Sequence, residues 1–144
     1  MGVNTQVTYK KYSLGIAGHA AIGTYLYNNF NSNNGVLRQL KNPINFIGNV
    51  SRDYLDTRFS NNQYLSDYYI ENASFFKLDN INLGYNVGKI LRNKASLRVS
   101  ASVQNVFTIT KYKGLDPENS NDSGVDNNIY PRPRTFSLGF NLDF

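Results

Sequence analysis

The residues able to do chemistry are few and far apart. His19 is the single histidine in 144 residues, and cysteine is absent. A Ser–His–Asp relay needs a nucleophile motif to accompany the base, and none does here, so no enzymatic activity is expected. Without clustered His or Cys, a transition-metal site lacks ligands, and no cofactor is expected. The stretch LDPENSNDSGVD, residues 115–126, offers Asp116, Glu118, Asp122 and Asp126. Calcium favours oxygen donors of this kind. Their spacing does not follow the EF-hand loop, and Asx-rich turns explain the same composition, so both readings stand. Tyr64, Tyr68, Tyr69, Tyr112 and Tyr130 fall in polar stretches. Their rings could stack on the apolar face of a sugar or meet a protein partner; equally, they could pack on one another.

The chain has the length of one domain. It holds 11 tyrosines, 9 phenylalanines and 11 glycines, with mean hydropathy −0.46, so apolar residues must be interleaved with polar ones. No run approaches the ~20 apolar residues of a membrane helix. The opening MGVNTQVTYK has no apolar secretion signal, so either the protein is not exported or its signal lies on sequence outside this chain. Net charge is +5 and the pI near 9.4. A nucleic-acid surface is the sharp reading of that balance. Lys10, Lys11, Arg38, Lys41, Lys77, Lys89, Arg92 and Lys94 are instead scattered, mostly at apparent turns and loops, so no nucleic-acid partner is expected.

What must position these groups is a set of two-faced strands. In RTFSLGFNLDF, Phe136, Leu138, Phe140, Leu142 and Phe144 alternate with Thr135, Ser137, Gly139, Asn141 and Asp143. Similar alternation predicts strands over about 3–9, 12–27, 74–87, 95–109 and 134–144. By parity His19 and Arg98 lie on the polar side, the first as a hydrogen-bonded residue of an enclosed interior. Asn105 alone is out of place. Parity slips near Thr24 and near Asp79–Asn80, both toward the outer rim, which predicts bulges or exit of the strand from the membrane there.

About ten residues at roughly 3.3 Å each, tilted near 45°, span the ~25 Å apolar band of an outer-membrane barrel. The connections support that architecture: a tight Lys10–Lys11 turn and a short 88–94 link alternate with long segments at 28–73 and 110–133. Outer-membrane barrels have short periplasmic turns and long outer loops, whereas compact soluble domains seldom hold such loops. Tyr9, Tyr12 and Tyr85 would gather at the turn-side rim. Tyr25, Tyr27, Phe75, Phe76, Phe107 and Phe136 would gather at the other, as two aromatic girdles. The fold class is all-β, an antiparallel transmembrane β-barrel. Five strands cannot close one, because in lipid every backbone group must be paired and bacterial barrels use eight or more.

Three segments carry a resemblance: SDYYIENASFFKLDNINLGYNV (66–87), SLRVSASVQNVFTITKYKGLDPE (96–118) and YPRPRTFSLGFNLDF (130–144). In this order they are similar to the last three strands of the SusC/RagA family of TonB-dependent outer-membrane transporters. The match covers about half the chain; residues 1–27 resemble the preceding hairpin less distinctively. The resemblance implies five C-terminal strands of a barrel of about 22 strands. It also implies a plug and TonB box that this chain lacks, and partners comprising the rest of the barrel, the TonB complex and a SusD-like lipoprotein lid. The implied activity is import of nutrients, chiefly oligosaccharides and in some cases peptides. Tyr64, Tyr68, Tyr112 and Tyr130 are then candidate contacts to ligand or lid. Phe136, Phe140, Leu142 and Phe144 resemble the terminal signal read by the barrel-assembly machinery, and the same face would meet outer-membrane lipid. The alternatives are a passive pore or structural barrel fragment and, ranked lower, a soluble ligand-binding β-barrel.

Overall fold

The computed structural model describes residues 1–40, 48–90, 94–118, 124–127 and 130–144. In chain order the elements are β1 (Gly2–Tyr9), β2 (Tyr12–Ala21), β3 (Tyr25–Asn28), α1 (Asn29–Asn34), α2 (Tyr54–Thr57), β4 (Ile70–Asn72), β5 (Phe75–Ile90), β6 (Ala95–Thr110), β7 (Val125–Asp126) and β8 (Thr135–Asp143). Single 3-10 turns cover Leu37–Gln39 and Asp67–Tyr69. They form two compact units: residues 1–21, 75–109 and 132–144, and residues 22–74 and 110–131.

The first unit is one sheet in the order β1-β2-β5-β6-β8. Its register follows the alternation. Val7 stands opposite Leu14, and Leu14 opposite Leu83. Val99 faces Phe140, and Ala101 faces Leu138. Tyr9 pairs with Tyr12, leaving Lys10 and Lys11 as a two-residue turn in which Lys10 adopts φ +53°, the left-handed backbone that tight hairpins need. Between β2 and β5, Ala17 faces Asn80 and Gly18 faces Leu78, so Asp79 is an extra residue. That bulge accounts for the change of parity between Leu78 and Ile81. Asn105 has φ +53° and its Nδ2 donates to the Pro133 carbonyl at 2.9 Å. The one polar residue out of pattern is therefore a backbone irregularity, one position past the last β6–β8 pair at Gln104 and Thr135.

Among the described residues no layer covers the apolar face. Leu83, Leu138 and Phe140 are 54%, 70% and 68% exposed, and both helices belong to the other unit. A monomeric soluble protein rarely leaves a patch of more than a few hundred Å² bare. No described helix is long and apolar enough to cross a membrane, so the strands alone carry that question.

Two expectations are corrected. The strand expected over 12–27 is two strands in different sheets: β2 stops at Ala21, and Gly23 turns the chain with φ +77°. The Gly23 amide donates to Ser74 Oγ at 3.0 Å, and the Ala73 amide to the Thr24 carbonyl at 2.9 Å. The segments expected as plain loops, 28–73 and 110–133, fold into the second unit around a three-stranded sheet in the order β4-β3-β7. Strands β3 and β4 are antiparallel, β3 and β7 parallel. Leu26, Ala73 and Tyr112 form its apolar core. Periodicity could not reveal this unit, because its strands have only 2–4 residues and its partners lie far apart in sequence.

In the complete barrel, Leu138→Arg is expected to cost about 2–4 kcal/mol if the apolar face meets acyl chains, and its neighbour Ser137→Arg much less. Reversible urea unfolding in bilayers measures both. Equal losses would contradict the assignment of faces.

Candidate functional site

The polar face of the first unit is built from short hydrogen-bonding side chains. His19 Nδ1 and Asp79 Oδ2 lie 2.7 Å apart, and Phe75 meets the imidazole edge-on at 5.4 Å. The bulge makes this contact by presenting Asp79 beside β2. Asn82 Nδ2 donates to Asn80 Oδ1 at 3.0 Å. Arg98 reaches from β6 across β5 to donate from Nη2 to Ser13 Oγ at 3.3 Å on β2. The guanidinium passes over Gly84, where a Cβ would collide with Ser13 Oγ and lie 3.2 Å from Nη2. Glycine at that position is what lets the arginine lie flat across a strand. The set can bind hydroxyls and fix charge.

The second unit has a polar interior. Asn28, wholly buried, accepts from the Asn31 amide at 3.0 Å to cap α1, and its Nδ2 donates to Glu71 Oε1 at 3.1 Å. Glu71 Oε2 accepts the Lys113 amide at 3.0 Å, tying together residues 42 positions apart. Tyr112 donates to Asp126 Oδ2 at 2.7 Å. Burial, reinforced by that carboxylate, pushes the Tyr112 phenol far above the ordinary tyrosine range.

Beside these lies a pocket of about 350 Å³ whose lining includes Phe30, Asn31, Ser51, Asp53, Lys113 and Leu115. Asp53 is buried, and its Oδ2 accepts no hydrogen bond from the described residues. Burial raises its pKa, with Lys113 pulling the other way. Tyr68 is raised in turn, first by burial and then by Asp53. That oxygen is itself enclosed, so an occupant of the pocket would meet the other lining side chains, with Phe30 and Leu115 as apolar walls.

The candidate residues are distributed unevenly. Tyr64 and Tyr130 are exposed, and Tyr68 is half-exposed, packed edge-on against Phe59 and Tyr69. Tyr112 and Tyr69 are interior instead, 6% and 1% exposed, so neither offers a ring to a ligand. Asp116 Oδ1 accepts the Glu118 amide at 3.0 Å, an Asx turn, and Asp126 is engaged by Tyr112. Asp122 lies outside the described residues, as do Lys41 and Arg92. Among the described residues no three acidic or histidine side chains converge on a metal position. Phe136, Phe140 and Leu142 project from the apolar side of β8, and Phe144 follows it, highly exposed. Asp53 and Glu71 went unforeseen, since what marks them is burial and contacts that no local spacing encodes.

No family model matches the chain. It is 39% identical over 150 residues to the TonB-dependent receptor SusC of Bacteroides thetaiotaomicron, a match that covers the whole chain and 15% of that protein. It is 27% identical over 161 residues to the TonB-dependent receptor P3 of Formosa agariphila, covering 100% of the chain and 16% of that receptor. The solved RagAB peptide importer in its open-open state superposes with a TM-score of 0.75 at 25% identity, over 99% of this chain and 17% of that one. The chain thus spans about 15% of the length of SusC.

The Tyr112–Asp126 pair should make the second unit sensitive to alkali. A phenol whose pKa is raised by folding contributes stability below its unfolded value near 10, and that contribution is lost as pH rises above it. Amide exchange over residues 110–127 of the complete protein should quicken above about pH 10, and Tyr112→Phe should flatten the dependence. A wild-type exchange profile with no excess opening above pH 10 would contradict this.

Proposed function

We propose that this chain, which belongs to the SusC/RagA family of TonB-dependent outer-membrane receptors, supplies five strands and a folded outer segment to an energised nutrient importer. One observation carries the reading. A sheet with a bare apolar face and two unpaired edges, β1 and β8, aligns along its whole length with a fraction of SusC. In hydrocarbon each unpaired backbone group costs several kcal/mol, so both edges call for neighbouring strands of the same barrel. A soluble ligand-binding barrel is disfavoured by the uncovered face.

The cargo in this reading is an oligosaccharide. Tyr64, Tyr68 and Tyr130 supply aromatic surface, and Asn31, Ser51 and Lys113 supply hydrogen-bonding groups in the pocket beside Asp53. A SusD-like lipoprotein covers the outer segment, a plug held elsewhere in the polypeptide closes the lumen, and TonB drives its rearrangement. His19, Asp79, Arg98 and Ser13 line the interior that the plug and cargo meet. Phe136, Phe140, Leu142 and Phe144 present the side chains read by the barrel-assembly machinery, and the same face then meets lipid. The name of the RagAB importer favours peptides as the competing cargo.

Uptake of labelled oligosaccharides and of labelled peptides by cells carrying the complete protein decides among these. Oligosaccharide uptake that disappears when TonB is deleted is the expected result. Uptake of peptides alone would overturn the cargo, and uptake indifferent to TonB would leave a passive pore.

A further inference from the structure

The lysines that look scattered along the sequence converge at one end of the sheet. Pairing of Tyr9 with Tyr12, and of Tyr12 with Tyr85, puts the Lys10–Lys11 turn beside the end of β5, which carries Lys89; Lys94 immediately precedes β6 at the same end. All four are exposed. Asp143, paired with Ser96, is the acidic side chain at that rim among the described residues.

Directly below the lysines, the apolar face is hollowed. A groove of about 370 Å³ is lined by Tyr9, Tyr12, Leu14, Leu83, Tyr85 and Val99. Its upper end is aromatic, with the Tyr12 and Tyr85 rings 4.8 Å apart at 39°. Lys10 Nζ stands 5.3 Å from the centroid of the Tyr9 ring, which places an ammonium at the mouth of the groove. Lys11 Nζ donates to the Val87 carbonyl at 3.1 Å. An ammonium has three protons, so donors remain for another acceptor. Completing the barrel adds strands at the edges β1 and β8 and leaves this face open.

We propose that this rim is a binding site for one anionic glycerophospholipid of the inner leaflet. Its phosphate is held by Lys10 and Lys11, and part of one acyl chain lies in the groove beneath the three tyrosines. Charge complementarity selects the occupant: four lysines outnumber the Asp143 side chain and the Phe144 α-carboxylate and favour an anionic head group over a zwitterionic one. A groove ending in aromatic rings matches a chain that passes from hydrocarbon to head group. Each lysine removed should weaken binding of an anionic lipid about fivefold. The site is independent of the imported cargo and stands if that reading fails.

Native mass spectrometry of the complete barrel in detergent, titrated with phosphatidylglycerol or phosphatidylcholine, tests it. The expected result is preferential retention of one phosphatidylglycerol. Lys10→Gln with Lys11→Gln should lower that retention by about tenfold or more and leave phosphatidylcholine unchanged. Should the double variant fail to assemble, 0.5 M salt on the wild-type protein, about 4 Å of screening length, should abolish the preference. Equal retention of both lipids, a preference indifferent to both lysines, a preference indifferent to salt, or displacement of phosphatidylglycerol by lipid A would each overturn the proposal.

Discussion

Everything in this molecule follows from the need to pair backbone N–H and C=O groups where no water can reach them. A chain crossing hydrocarbon can satisfy them within a helix or across a closed sheet, and this chain has strands. Alternation then follows, because successive side chains point to opposite sides and only one side meets lipid. The apolar row from Val7 through Leu14 and Leu83 lies on one face of the sheet, and the polar row from Ser13 through Gly84 to Arg98 on the other. Five strands satisfy the requirement only between their neighbours, and β1 and β8 leave it open at each end.

The second unit solves the opposite problem. Here the chain encloses polar side chains, with Asn28, Asp126 and Ser32 fully or nearly fully buried. Their interactions include Glu71 for Asn28, Tyr112 for Asp126 and the Tyr27 hydroxyl, 2.7 Å away, for Ser32. Buried polar groups of this kind are tolerable only when paired, and each pairing fixes where a strand or turn must sit. Asp53 Oδ2 and the Tyr69 hydroxyl depart from that rule, both enclosed and without a hydrogen-bond partner among the described residues.

The sheet was readable because its physics is local. A period of two, a Lys–Lys turn and one parity slip are written in neighbouring residues, and the slip at Asp79 became the bulge that brings it to His19. The outer segment was not readable for the same reason. Tyr27 and Val125 pair across almost a hundred residues, and nothing near either announces the other. Tyr112 illustrates the cost: a tyrosine in a polar stretch reads as a surface ring, and only the buried Asp126 beside it shows otherwise. Membership of the family was legible from serial motifs, whereas Asp53 and the gathered rim lysines required the fold.

The central claim is that one face of this sheet looks at lipid and the other at an enclosed interior. Spin labels placed one at a time at positions 82, 83, 99, 100, 137 and 138 of the complete barrel in bilayers, read by power saturation, test it most directly. Labels at 83, 99 and 138 should be relaxed by oxygen dissolved in the acyl region, and those at 82, 100 and 137 should not. Uniform accessibility to a water-soluble relaxant at all six positions, or the reverse alternation, would contradict the account.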